Sequence, residues 1–207
     1  MMGGKGMIIA LEGIEGAGKT LQARLLSEHL ESRGYPCALA KEPSEFLKEA
    51  IKGQSNPPEV KALLFAADRL SQFRKVVKPA LERGMIVVLD RSVLSSLAYQ
   101  SAEGVSLEWL EAINRYTPLP DLVIILDVDP RTGLRRIEGR REESELDKAF
   151  NDPAFLERVR LAYRQLAGRY SDRVVLIDAA RSVRDVQMSI RGVVLPRLKS
   201  KPEARGR

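Results

Sequence analysis

The sequence predicts an α/β fold built on a parallel sheet, and three observations carry that prediction. Five short runs rich in apolar and β-branched residues recur along the chain, none alternating cleanly in polarity. Segments with an apolar period of about 3.6 residues lie between them. A glycine-rich turn follows the first run directly. Runs without alternation suit strands covered on both faces, and strands that alternate with helices suit parallel pairing.

In chain order, Met7–Leu11 is the first run and leads into Gly13. Leu21, Ala23, Leu25, Leu26 and Leu30 then stripe a helix, and Cys37–Ala40 is the second run. Val60, Leu63, Leu64, Ala67 and Leu70 stripe another helix. Met85–Leu89, Leu122–Leu126 and Val174–Ile177 complete the strands, with Trp109 as packing in a helix-like Leu107–Tyr116 segment. No repeat, linker or low-complexity block interrupts the pattern, so residues 1–207 read as one domain. The ends, 1–5 and 199–207, are expected to fray.

Composition excludes several classes. Of 207 residues, 44% are hydrophobic and 30% charged, enough for a core and a solvated surface and unlike a disordered chain. The apolar runs fall far short of the ~20 residues of a membrane span. Glu12 arrives before any signal-like apolar region, so a cytoplasmic location is expected. The lone Cys37 excludes internal disulfides, and the lone His29 leaves no material for a histidine zinc site or a Ser-His-Asp triad. The net charge of +6 invites a nucleic-acid partner. Its location argues otherwise: residues 191–207 hold six basic residues and one acidic, leaving a net charge of +1 for the rest. Neither nucleic acid nor membrane is an expected partner.

The turn after the first run reads Gly13-Ile14-Glu15-Gly16-Ala17-Gly18-Lys19-Thr20, matching G-x-x-x-x-G-K-[ST]. Its glycines let the backbone turn tightly and aim N–H groups at anionic oxygens. Lys19 brings a point charge to the β- and γ-phosphates, and Thr20 offers a hydroxyl to Mg²⁺. The helix starting near Lys19 adds its positive end. These are the requirements of nucleoside triphosphate binding. A GTPase would need an Asn/Thr-Lys-x-Asp element after a later strand, and the chain has none.

Asp90-Arg91 follows the third run. A strand-end carboxylate can organise magnesium waters, and an adjacent arginine can grip a second phosphate, which suits transfer between phosphates. The competing reading is a helix-capping Asp beside a solvated Arg. A second cluster, Arg131, Arg135, Arg136, Arg140 and Arg141, contains only Glu138 as an acid. Arg136 and Arg140 share a helix face, as do Arg131 and Arg135. Two readings stand equally here: a solvated charged helix, or a lid delivering arginine to the transferring group.

Five strings together resemble thymidylate kinase: LEGIEGAGKT (11–20), KEP (41–43), LLFAADR (63–69), DRSVLSSLAYQ (90–100) and RREESELDK (140–148). The resemblance runs from about Met7 to Ile190. It implies a P-loop NTPase fold, three layers α/β/α with a five-stranded parallel sheet and a short arginine-bearing lid at about 139–150. It implies transfer of the ATP γ-phosphoryl group to dTMP with Mg²⁺, and a homodimer. By position, Lys19 and Thr20 would serve ATP and Mg²⁺, with Asp90 reaching the metal through water. Arg91 would hold the dTMP phosphate, and Glu12 would face a sugar hydroxyl or a magnesium water. Arg140 and Arg141 are equal candidates for the lid arginine. Adenine would rest near Arg136 and Arg181.

Phe65 and Arg69 match the residues that stack on thymine and bond its O4, and their i,i+4 spacing puts both on one helix face. Cytosine presents an amino donor where thymine presents O4, so an arginine there would discriminate. Ser95, Ser96, Tyr99 and Gln100 lie on the next helix. Ser96 or Gln100 would accept from thymine N3–H, and Tyr99 would crowd a 2′-hydroxyl. Glu42 and Pro43 would border the acceptor. Lys41, Ser44–Leu47, Ser92 and Ser96 depart from the usual pattern. Remaining alternatives are a related monophosphate kinase that also accepts dUMP and, more remotely, a nucleic-acid-dependent ATPase.

Overall fold

A computed structural model describes residues 6–51, 56–138 and 152–199. Five strands form one parallel sheet: β1 (Met7–Glu12), β2 (Cys37–Lys41), β3 (Ile86–Asp90), β4 (Leu122–Asp127) and β5 (Val174–Asp178). Their order is β2-β3-β1-β4-β5. The register sets Leu11 and Lys41 on either side of Asp90, and Asp127 beside Asp178. The polar residues of the motifs thus collect along the carboxyl edge of the sheet, where open α/β sheets bind ligands.

Among the described residues the connecting helices are α1 (Lys19–Ser32), α2 (Glu45–Ile51), α3 (Pro58–Gln72), α4 (Lys78–Glu82), α5 (Val93–Ala102), α6 (Leu107–Asn114), α7 (Pro130–Ile137), α8 (Pro153–Arg169) and α9 (Val183–Lys199). A wider π turn, Phe73–Val77, joins α3 to α4. They flank the sheet: α1 packs against α9, and α5 packs against both α3 and α8. Side chains that accept at the first turn start several of them, Ser92 for α5, Ser106 for α6, Asp129 for α7 and Asp152 for α8.

Every residue of β1 and β3 is buried, and β4 is buried up to Leu126, so unalternating runs here do mark strands covered on both faces. The core lies on these strands; Ile9, Leu11, Leu122 and Ile124 are fully enclosed. Each such side chain contributes about 1.5–3 kcal/mol relative to exposure. The edge strands behave differently, since a helical layer covers them incompletely and Leu39 and Leu176 stay exposed.

One helical stripe sits largely as expected and one does not. In α1, Ala23, Leu26 and Leu30 are buried with Gln22 and Ser27 beside them, and of the stripe only Leu21, at the sheet's carboxyl edge, is exposed. In α3 the face turned inward is Ala62, Ala66 and Arg69, while Val60 and Leu63 face out at 40% and 50% exposure. Small alanines let α3 approach its neighbours closely. Val60 and Leu63, with Ala67, form an outward stripe instead, while Leu64 and Leu70 are half-buried.

Candidate active site

The loop between β1 and α1 contains the first half of the site. Gly16 has φ 75°, and a Cβ there would fall 2.0 Å from the carbonyl oxygen of Gly133 in α7. In return, a Cβ on Gly133 would meet the Glu15 carbonyl at 2.5 Å. Two glycines on separate segments therefore lock the loop against α7. The first turn of α1 carries no acidic residue, so its N–H groups and dipole remain available to an anion. The buried Lys19 Nζ donates to the Ile14 carbonyl at 2.8 Å. Burial lowers its pKa to about 8, assisted by Arg91 and opposed by Glu15, Asp90 and Glu12.

Thr20 Oγ1 donates to Asp90 Oδ2 at 2.5 Å, joining the loop to the end of β3, with Lys41 Nζ 3.7 Å from the same oxygen. The second oxygen, Asp90 Oδ1, is buried without a hydrogen-bond partner. No cluster of three or more His, Cys, Asp or Glu residues suited to a metal occurs among the described residues. An orphaned carboxylate oxygen beside a hydroxyl fits Mg²⁺, which is commonly held by one or two protein groups, waters and phosphate oxygens. Helix capping belongs to Ser92, whose Oγ accepts from the Leu94 N–H, and not to Asp90.

Arg91 spans the two halves. Its backbone has φ 77°, unusual for a side-chain-bearing residue, and its N–H bonds the Leu11 carbonyl at 3.0 Å. Nη2 pairs with Glu15 Oε2 at 2.5 Å, Nη1 approaches Ser95 Oγ at 3.4 Å, and the guanidinium lies 5.3 Å from the centre of the Tyr99 ring.

Glu12 lies at the centre of a buried hydrogen-bond network. Its Oε1 accepts from the Ser92 N–H (2.6 Å) and Oγ (2.7 Å), and its Oε2 from Ser95 Oγ (2.6 Å) and Tyr163 OH (2.8 Å). The residue is fully buried. Four donors engage its two oxygens. Glu12 thereby binds β1 to the start of α5 and to α8.

The other half of the cleft is built by the ends of β2 and β3 with α3 and α5. Arg69 is buried, and its Nε donates to Glu42 Oε2 (2.7 Å), Nη1 to Asn114 Oδ1 (2.5 Å) and Nη2 to Ser96 Oγ (2.9 Å). Burial pushes the Glu42 carboxyl up to about 7, against the downward pull of Arg69. Ser44 donates to both oxygens of Asp68 and accepts from the Leu47 N–H. The departure at 44–47 is therefore the capped start of α2.

A cleft of about 920 Å³ unites the halves. Glu15, Gly16, Ala17, Gly18, Lys19, Thr20, Asp90, Arg91, Arg136 and Arg181 line it, as do Glu42, Pro43, Phe65, Arg69, Ser95, Ser96, Tyr99 and Gln100. Arg136 Nη2 reaches the Ala180 carbonyl at 3.4 Å, joining α7 to the loop after β5. Gly13 and Ile14 belong to the loop but lie behind the wall. Arg140 and Arg141, with the rest of the 139–150 lid, lie outside the described residues. Gly133, Asn114 and Tyr163 were not legible as site residues; each acts on a partner distant in sequence.

Comparison with known proteins agrees with this geometry. Residues 11–190 match the family described as thymidylate kinase. The chain is 41% identical over 201 residues to the probable thymidylate kinase of Pyrococcus abyssi, covering 92% of this chain and 96% of that protein. With the probable thymidylate kinase of Staphylothermus marinus it shares 40% over 201 residues, at 93% and 96% coverage. With that of Archaeoglobus fulgidus it shares 36% over 192 residues, at 91% and 94%. A family match over most of the chain and relatives about 40% identical over nearly its whole length agree, and the chain belongs to the thymidylate kinase family.

Proposed function

We propose that the protein transfers the γ-phosphoryl group of ATP to dTMP, giving ADP and dTDP. One observation carries the proposal: the cleft joins a triphosphate loop to the Phe65–Arg69 face, with Arg91 touching both sides. A phosphate oxygen of dTMP bonds to the γ-phosphorus as the bond from that phosphorus to the β,γ-bridging oxygen breaks, and ADP departs. Little covalent work falls to the protein, so positioning and charge neutralisation supply most of the catalysis.

In this reading Lys19 and the loop N–H groups hold the β- and γ-phosphates. Arg91 exchanges its Glu15 contact for the dTMP phosphate. Arg140 or Arg141 completes the charge from the lid. Thr20 and Asp90 would hold Mg²⁺, Asp90 through water; when bound, the ion shields the phosphate charges. Phe65 stacks on thymine, and Arg69 donates to O4. Ser96 or Gln100 accepts from N3–H, Tyr99 crowds the 2′ position, and Glu42 and Pro43 border the sugar and base. Arg136 and Arg181 flank adenine. Glu12 works at one remove, holding Ser92 and Ser95 beside Arg91.

The protein acts as a homodimer in the cytoplasm. The outward stripe on α3, Val60 and Leu63 with Ala67, supports the dimer, because exposed apolar residues in register on one helix favour association. No helix among the described residues is long and apolar enough to cross a membrane. Incubation with ATP, Mg²⁺ and dTMP tests the reaction: dTDP and ADP should form in equal amounts. ADP without dTDP would mean hydrolysis and would overturn the proposal.

A further inference from the structure

Arg69 cannot aim itself. A guanidinium is a flat fork of five N–H groups, and where the open prongs point depends on what engages the others. Glu42 takes Nε–H and Ser96 takes one Nη2–H, both acceptors lining the cleft, while Nη2 also lies 3.5 Å from the Ser92 carbonyl, so the open prong is on Nη1. The Nη1 contact comes from Asn114 at the end of α6, which does not line the cleft.

Asn114 is built to present an oxygen there. It is buried, and its Nδ2 donates to the Leu110 carbonyl at 2.8 Å. With the amide nitrogen committed to a carbonyl, the amide oxygen must face the guanidinium 2.5 Å away. The chain also turns directly after this residue, through a 2.9 Å bond from the Thr117 N–H to the Asn114 carbonyl. The side chain is thus fixed through its own helix, and its backbone through the turn that follows. An asparagine that served only to end α6 would need no partner on α3.

We propose that Asn114 is a positioning residue for acceptor selectivity. Its Oδ1 sets the rotation of the Arg69 guanidinium so that a remaining N–H meets the oxygen at the 4-position of the pyrimidine. The proposal rests on the reading of Arg69 as the O4 donor. Asn114 touches no substrate and acts only through Arg69.

The test measures kcat and KM for dTMP and dCMP, KM for ATP, and thermal stability. Asn114→Leu keeps the volume and removes the acceptor; Asn114→Asp keeps an acceptor oxygen. In Asn114→Leu the preference for dTMP over dCMP should fall about tenfold, the scale of one lost hydrogen bond to a charged group. The loss should appear in the dTMP KM with the ATP KM unchanged, and Asn114→Asp should restore the preference. Should Asn114→Leu fail to fold, Asn114→Ala, which removes the acceptor with no added bulk, gives the same readout. A folded Asn114→Leu or Asn114→Ala enzyme with the parental preference would overturn the proposal. Arg69→Lys separates the two levels. If it leaves the preference intact, the O4 reading itself fails; if it abolishes the preference while the Asn114 variants do not, only the role of Asn114 fails.

Discussion

The buried Lys19 makes ATP affinity dependent on pH in mildly alkaline solution. Its pKa of about 8 means that the charge needed by the phosphates is partly missing in mildly alkaline solution. At pH 7 about nine in ten free molecules carry it, and at pH 9 about one in ten. If only the charged form binds well, the apparent Kd for ATP rises by about tenfold from pH 7 to 9. The nucleotide's phosphates are almost fully ionised throughout, with a last pKa near ~6 for phosphate esters. Calorimetry in buffers of different ionisation enthalpy would read both consequences. Affinity should fall with the stated slope, and binding at pH 8 should take up about half a proton as the phosphates restore the lysine charge. Lys19→Met should bind weakly at every pH with no slope. A flat Kd between pH 7 and 9 together with no proton uptake would refute the reasoning, since Lys19 would then be charged throughout or uninvolved.

Gly133→Ala should weaken ATP binding by about tenfold, because its Cβ would lie 2.5 Å from the Glu15 carbonyl and must displace the loop. Gly168→Ala, with open space around the new Cβ, is the control and should bind ATP normally; equal affinities in both would count against the close approach. Glu42 affects stability with a defined sign. Its folded pKa of about 7 exceeds the ordinary carboxyl value of 4.5, so the folded protein holds a proton that the unfolded chain releases. That contribution is complete below pH 4.5 and is lost as pH rises to 7, an effect of about 3 kcal/mol. The stability difference between parent and Glu42→Gln, from denaturant unfolding, should therefore decline across that window, and a constant difference would contradict it. Leu63→Glu places a charge in the outward stripe of α3 and should yield monomers in sedimentation; an unchanged association state would remove that stripe from the interface.

What the sequence reveals and conceals follows from the distance over which each feature is determined. The phosphate loop is a local device, so its residues and the helix behind it are legible from eight consecutive positions. Phe65 and Arg69 are legible because helical spacing alone puts them on one face. Edge strands are not, because Leu39 and Leu176 resemble core leucines until the neighbouring helices are placed. The α3 stripe misleads for a similar reason: periodicity reports an apolar face without saying what covers it. Glu12 carries an acidic residue's ordinary promise of chemistry. Its donors include Ser92 and Tyr163, 80 and 151 residues away, which no linear pattern connects to it. Asn114 and Arg69 are 45 residues apart, and Gly133 meets Gly16 across an even longer interval. Such pairs exist only once the parallel sheet has brought its carboxyl ends together.

The central claim is acceptor identity, and a coupled ADP-release assay across dTMP, dUMP, dCMP, dGMP, UMP and AMP tests it most directly. The proposed arginine donor at the 4-position predicts the highest kcat/KM for dTMP, with dUMP the nearest competitor and dCMP far behind. Preference for dCMP or AMP would contradict the account, because each presents an amino donor where thymine O4 would meet Arg69.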